Sequence, residues 1–281
     1  MDYQRKKFFV ISTGTSILGN FVRSNKESEL VKKYSMDKWA NLAPNDPLQR
    51  KIENFIPKGN EVHDSLLEFV KSNPKDASAE LNSFLSFLEK YMIKKEDIEV
   101  LIYSTDTSNN RLTAQIVYEY LQGEGFRLVG NVVVVDNFGV SVDMFELELS
   151  SLLDKVVGVL KSKVDQGYEI YVNATAGYKP ETTFLVLASM LVSKLSPVVF
   201  YQYEAFKEPI ILPLIPIVIS KEYKEVAEKF KEPTPQNEAV EYLKKKGYNL
   251  EDLVNKKILE LDTNRNLVQT RKWLRKLLEL N

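Results

Sequence analysis

The sequence predicts an α/β fold, a mostly parallel sheet covered by helices, with a small helix-and-hairpin module at its C-terminal end. Three observations predict it. Short apolar runs rich in β-formers recur at Phe8–Ile11, Val100–Tyr103, Val132–Val135, Glu169–Val172 and Val198–Tyr203. The first four each end in a polar turn, and a segment with helical spacing of apolar residues follows. The resulting β-α-β-α-β-α-β-α-β order requires parallel pairing with helices on both faces, and continuous apolar strands suit burial on both sides.

The first strand, Phe8–Ile11, runs into Ser12-Thr13-Gly14-Thr15-Ser16 and then Ile17, Leu18, Phe21 and Val22 at helical spacing. The turn holds four hydroxyls within five residues, and such groups can cap a helix or bond a phosphate. From about 24 to 95 the chain reads as an inserted helical layer, with apolar stripes at Leu66, Leu67, Phe69, Val70 and at Leu81, Phe84, Leu85, Leu88. The single histidine, His63, lies at a polar loop-helix junction and reads as a solvated surface residue.

The second strand, Val100–Tyr103, ends in Ser104 to Arg111, with a helix expected over Leu112–Leu121. Val132–Val135 ends in Asp136 to Gly139, and a long amphipathic segment spans Met144–Val164. The next strand stops at Asn173-Ala174-Thr175-Ala176-Gly177-Tyr178-Lys179, where a helix begins at Pro180. Val198–Tyr203 and Ile210–Ile219 carry prolines that suit a sheet edge or hairpin. In parallel sheets ligands bind beyond the carboxyl ends of the strands, so the four polar turns are expected to form one site. Its candidate binding residues are Thr13, Gly14, Thr15, Thr105, Asn109, Asn110, Arg111, Phe138, Asn173, Thr175, Ala176 and Gly177.

The turn before Pro180 carries its own chemistry. The first backbone N–H groups of a helix lack intrahelical partners and face outward at the positive end of the macrodipole. Gly177 lets a ligand approach the backbone, Pro180 suits the first helical turn, and Lys179 adds a mobile cation. An ordinary βα turn with a surface lysine reads the same stretch without a ligand.

Composition bounds the function. The chain has 281 residues, 44% hydrophobic and 27% charged, with a formal net charge of −1, which suits one large domain plus a smaller one. A strongly basic nucleic-acid binder is excluded. With no cysteine, disulfides, thiolate catalysis and cysteine zinc sites are excluded, and a cytoplasmic setting is expected. No cofactor or metal is expected. The apolar run after the basic N-terminus is too short for a signal h-region, and Pro209–Ile219, broken by Pro213 and Pro216, falls short of the ~20 residues of a membrane span.

The expected domains are residues 1–230 and 231–281, joined by a linker over Lys231–Gln236. The second part carries 11 Lys and Arg against 8 Asp and Glu. Its helices, followed by two strand-like runs around Asp262-Thr263-Asn264-Arg265 and a closing helix, look like a winged helix. Such modules bind DNA or mediate dimerisation, and the surplus of three positive charges gives DNA thin support.

The loops Ser12-Thr13-Gly14-Thr15-Ser16-Ile17-Leu18-Gly19-Asn20 and Asn173-Ala174-Thr175-Ala176-Gly177-Tyr178-Lys179-Pro180 together resemble the two signature loops of the CRISPR-associated Rossmann-fold (CARF) family, closest to its archaeal ring nuclease branch. The resemblance covers about residues 7–220. It implies a Rossmann-like sheet and a homodimer holding a cyclic oligoadenylate, commonly the four-membered ring, across its two-fold axis. It also implies metal-independent cleavage, in which a ribose 2′-OH of the ligand attacks the adjacent phosphate and leaves 2′,3′-cyclic phosphate ends. Carried over residue by residue, Ser16 and Lys179 are the catalytic pair.

Many CARF proteins add a HEPN ribonuclease marked by Arg, four to six residues, then His. Ile56, Pro57 and Lys58 stand where the Arg before His63 would be, so that nuclease is not expected. The rival reading is a CARF transcription regulator that senses the ligand without cutting it. A dinucleotide-binding oxidoreductase is disfavoured because no G-x-G-x-x-G follows the first strand.

Overall fold

The computed structural model describes residues 6–135, 142–177, 179–192, 197–203, 206–214 and 217–278. The chain forms two compact units, Met1–Ile215 and Pro216–Asn281.

The first unit begins with β1 (Lys7–Ser12) and α1 (Ser16–Ser24). The helical insertion follows as α2 (Glu29–Tyr34), a 3-10 turn over Met36–Asn41, α3 (Leu48–Glu53), α4 (Glu61–Ser72), α5 (Pro74–Ala77) and α6 (Ala79–Lys90). Then come β2 (Ile98–Thr105), α7 (Ser108–Gly123), β3 (Arg127–Leu128), β4 (Val133–Val135), α8 (Val142–Asp165), β5 (Glu169–Asn173), α9 (Lys179–Val192), β6 (Val198–Tyr201) and β7 (Ile210–Ile211). Among the described residues the strands form a Rossmann-like sheet in the order β3-β2-β1-β5-β6-β7, with β4 also on β2. All pairs are parallel except β6 with the edge strand β7.

Alternation along the strands divides the core. Phe9, Ile11, Val100, Ile102 and Tyr171 face the layer containing α1, α4, α6 and α7, where Phe9 stacks on Tyr171 with centroids 4.6 Å apart. The strand residues of opposite parity, Phe8, Val10, Leu101, Ile170 and Val172, are also buried, as are Leu152, Val156 and Leu160 of α8 and Leu185 and Ala188 of α9. At ~25 cal/mol per Å² of apolar surface, burial on both faces is what holds such a sheet together.

Strand order places the site. From β1 the chain crosses to β2 on one side, and later returns to β5 on the other, so the loops after β1 and β5 leave neighbouring strands at a topological switch point. Register fixes this, pairing Ser12 with Tyr103 and Ile11 with Asn173.

Several expectations are corrected. Helix α7 begins at Ser108, four residues before the expected start, so Asn109, Asn110 and Arg111 form its first turn rather than a loop. A short strand, β3, falls where none was expected. His63 is fully buried in α4, and its Nε2 lies 3.1 Å from Oε2 of Glu119 on α7. The i, i+3, i+7 spacing of His63 with Leu66 and Val70 puts the imidazole on the inner face of the helix.

In the second unit, α10 (Lys221–Lys229), β8 (Thr234–Pro235), α11 (Gln236–Lys245), α12 (Leu250–Asn255), β9 (Leu259–Asp262), β10 (Leu267–Thr270) and α13 (Lys272–Leu278) follow in turn. The sheet order is β8-β10-β9, antiparallel. The division falls before α10 rather than after it because Thr270 donates its N–H to Phe230 O at 2.8 Å and its hydroxyl to Ala227 O at 2.9 Å. The stretch expected as a linker contains β8 and so belongs to this sheet.

The His63–Glu119 contact has a consequence for acid stability. Burial pushes the Glu119 carboxyl up, but hydrogen bonds from Gln115 and His63, with Lys58 nearby, outweigh it and hold the group below its ordinary range. The folded chain then binds fewer protons than the unfolded one, so this stabilisation is present above the ordinary carboxylate range and is lost as pH falls through it. The stability difference between wild type and Glu119→Gln should therefore shrink as pH falls from about 7 to about 3 in denaturant titrations. A difference independent of pH would contradict this origin.

Candidate functional site

The loops after β1 and β5 touch. A Cβ on Gly14 would lie 3.4 Å from Gly177 N, and a Cβ on Gly177 would lie 2.1 Å from Ser12 Oγ. Gly177 has φ +99°, a region closed to most side chains. Beside this junction lies a cleft of about 350 Å³ lined by Gly14, Thr15, Thr105, Asn109, Asn110 and Gly177, with Ala40, Leu42 and Pro44 of the insertion as its apolar wall.

A polar net fastens the cleft's floor. Thr13, fully buried, donates its hydroxyl to Tyr103 O at 2.9 Å. Asn110 donates to Thr13 O at 3.0 Å and to Thr105 Oγ1 at 2.8 Å, while Thr113 donates to Gly14 O at 2.7 Å. Asn109 donates to Trp39 O at 2.9 Å and accepts from Gln49 at 3.1 Å, which ties α7 to the insertion. Thr15 donates to Ala40 O at 2.8 Å. The hydroxyls of Thr13 and Thr15 thus brace neighbouring segments, the buried Ser12 hydroxyl has no partner among the described residues, and none caps α1.

The negative partner of that helix comes from elsewhere. Glu80, in the first turn of α6 and only 1% exposed, accepts the Gly14 N–H on Oε1. Its Oε2 accepts the hydroxyls of Ser16 at 2.9 Å and Ser78 at 2.7 Å. Ser16 Oγ in turn accepts the Ala79 N–H at 3.1 Å. A carboxylate therefore occupies the N-terminal approach to α1, where no acidic residue of the helix itself stands.

The second loop is braced differently. Asn173, buried, accepts from Ser83 at 3.0 Å and donates to Glu80 O at 3.0 Å. The Thr175 N–H donates to Asn173 Oδ1 at 3.2 Å, and Thr175 Oγ1 accepts the Gln202 N–H at 3.0 Å. Ala176 O accepts the Thr182 hydroxyl at 3.2 Å. Lys179 opens α9 and is exposed.

The sequence-predicted residues therefore fall into four groups. Gly14, Thr15, Thr105, Asn109, Asn110 and Gly177 line the cleft together. Thr13, Asn173, Thr175 and Ala176 hold the loops in place through the bonds above. Arg111 turns to Glu53 at 3.3 Å, and Phe138 lies outside the described residues. Ser16 faces α6 and Lys179 faces solvent. Among the described residues no group of three or more His, Asp or Glu side chains could hold a metal ion.

Glu80 was missed from sequence, though a signal was there. It stands four and seven residues before Phe84 and Phe87, so the helical period puts a carboxylate on a buried face. Gln49 and the apolar wall from Ala40 to Pro44 carried no comparable signal.

The model of the CRISPR-associated protein family Cas_APE2256 matches residues 75–215, half of the chain. The chain belongs to this family. The Cas_APE2256 match supports the CARF-like resemblance, and it takes in Glu80, the Asn109-Asn110 turn and the whole loop from Asn173 to Lys179. As a CRISPR-associated protein with a Rossmann-like sheet, it joins a family association to a strand-end site.

Gly177 tests how tightly that site is assembled. In Gly177→Ala the new methyl would meet Ser12 Oγ and force the backbone out of its positive φ, which should cost on the order of 3 kcal/mol. A chemical denaturation midpoint unchanged from wild type would show that the loops do not abut.

Proposed function

We propose that this protein is a ring nuclease of the CRISPR response, which binds a cyclic oligoadenylate, the four-membered ring being the first candidate, and cuts it to end the signal. The observation that carries this reading is the meeting of the two glycine-containing loops at the switch point, Gly14 against Gly177, beside a cleft with one polar and one apolar wall. That meeting joins the two stretches on which the ring nuclease resemblance rests, in a chain of a CRISPR-associated family.

In this reading the ligand supplies the nucleophile. Its 2′-hydroxyl gives up its proton as the 2′-oxygen bonds to the adjacent phosphorus, and the P–O5′ bond breaks with a proton taken up by the leaving 5′-oxygen, so that a 2′,3′-cyclic phosphate and a 5′-hydroxyl result. The protein has to hold the 2′-oxygen in line and stabilise the charge that builds on the phosphorane oxygens. Lys179, an exposed cation on the first residue of α9, has the charge and place for the second task.

A second reading, the transcription regulator, draws on the C-terminal unit. Its order of helix, strand, two helices, hairpin and helix, with sheet order β8-β10-β9, fits a winged helix. In DNA-binding modules of this kind the second helix of the central pair enters the major groove. Here that helix is α12, whose first turn exposes Glu251 and Asp252. Acidic groups there would repel phosphates, so we assign the unit to protein contacts rather than DNA.

Purified protein incubated with labelled cyclic tetraadenylate should yield linear products in excess EDTA, and Lys179→Ala should lower single-turnover cleavage roughly 10²–10³-fold with a smaller effect on affinity. Activity lost to EDTA and restored by magnesium, or a Lys179→Ala variant as fast as wild type, would overturn the mechanism.

Because one set of strand-end turns surrounds half of a macrocycle, a homodimer is the expected working form. Light scattering that finds a fully active monomer would contradict it.

A further inference from the structure

The first loop and Glu80 together set a polarity. A serine hydroxyl has one proton and two lone pairs. The Ser16 proton goes to Glu80 Oε2 at 2.9 Å, and one lone pair takes the Ala79 N–H at 3.1 Å. One lone pair is left, on a side chain that is half-buried rather than sealed. In this arrangement Ser16 can accept a hydrogen bond from a ligand but has none to give. A ribose hydroxyl is a donor and fits it. A phosphate oxygen, which only accepts, does not.

The Glu80 carboxylate reinforces the choice. It is nearly sealed from solvent, and it takes the Gly14 N–H on one oxygen and the Ser16 and Ser78 hydroxyls on the other. Two donors with which the loop would hold an anion, the Gly14 N–H and the Ser16 hydroxyl, are thereby engaged by an internal one. A phosphate brought to the same place would also meet a like charge in surroundings that screen it poorly. Across the junction, the loop before α9 has the opposite character, with an exposed lysine on its first helical residue.

We propose that Glu80 is a positioning residue that fixes Ser16 as the acceptor for the attacking ribose 2′-hydroxyl and leaves the phosphate to the Lys179 loop. This rests on the ring nuclease reading above and gives its two loops separate tasks. Ser16 touches the hydroxyl, whereas Glu80 acts through Ser16.

Glu80→Gln keeps the shape and reverses the polarity. The amide oxygen can still take the Gly14 N–H, but the NH₂ group now faces Ser16 and donates to it, so the last lone pair is filled. Single-turnover cleavage of labelled cyclic tetraadenylate by Glu80→Gln should fall on the order of 10²-fold. Affinity for the ligand should hold or tighten, because a negative charge has been removed. The losses in Ser16→Ala and Glu80→Gln should not multiply, since both remove one acceptor, and the double variant should match Ser16→Ala alone.

Cleavage by Glu80→Gln within about twofold of wild type would overturn the proposal, as would losses that multiply in the double variant. If Glu80→Gln melts too low to assay, Ser16→Cys decides. A thiol can keep the tether to Glu80 but accepts poorly, so slow cleavage at unchanged affinity supports the acceptor role and wild-type cleavage overturns it. No cleavage by the wild-type protein would overturn the ring nuclease reading and this inference together. Cleavage by wild type with an unaffected Glu80→Gln would overturn the inference alone.

Discussion

One buried carboxylate ties this fold together at its working edge. Glu80 sits at the start of a helix that belongs to the insertion, yet its oxygens are bonded to a loop of the sheet. A charge in such a place is tolerated only with partners, and hydrogen bonds to charged groups contribute roughly 1.5–3 kcal/mol each. The insertion is therefore not an appendage of the sheet. It supplies the negative end of the first loop, the backbone carbonyls of Trp39 and Ala40 that hold Asn109 and Thr15, and the apolar wall of the cleft.

The two loops meet at their glycines but differ in what they offer. Around the first, the hydroxyls of Thr13, Thr15 and Ser16 and the Gly14 N–H point inward to protein partners. The second is braced from behind by Asn173 and Gln202 and carries an exposed charged side chain on its outer edge. On the reading proposed above, a ligand with both hydroxyls and phosphates would meet a donor-seeking surface on one side and a cationic one on the other.

Much of this was legible in the sequence. Apolar runs ending in polar turns gave most of the strands, their mostly parallel pairing, and the edge where the turns after β1, β2 and β5 gather, because a buried parallel strand leaves a strong local pattern. The helix over Ser108–Gly123 was placed late because Ser108, Asn109 and Asn110 read as loop formers, whereas tertiary bonds to Gln49 and Thr13 hold them in the first turn. His63 was misread because its partner, Glu119, lies 56 residues away and leaves no local trace. The apolar wall and the partners of Glu80 belong to the same class, although the helical period already marks Glu80 itself as buried. Their roles arise from contacts between segments, and a single chain shows periodicity far better than it shows partners.

The span of those contacts bears on how the protein is made. Gly14 waits for a residue 66 positions later, Thr13 for one 97 later, and Ser83 for Asn173, 90 positions on. Loop closure over such separations has an entropic cost that local contacts do not share, and domains form from the N-terminal end as synthesis proceeds. A growing chain that has released only its first strand and helix has no finished first loop. That loop acquires its shape only once α6 and then β2 and α7 have emerged, and the cleft closes only after the loop following β5 arrives, so the site is among the last parts of the domain to exist during translation.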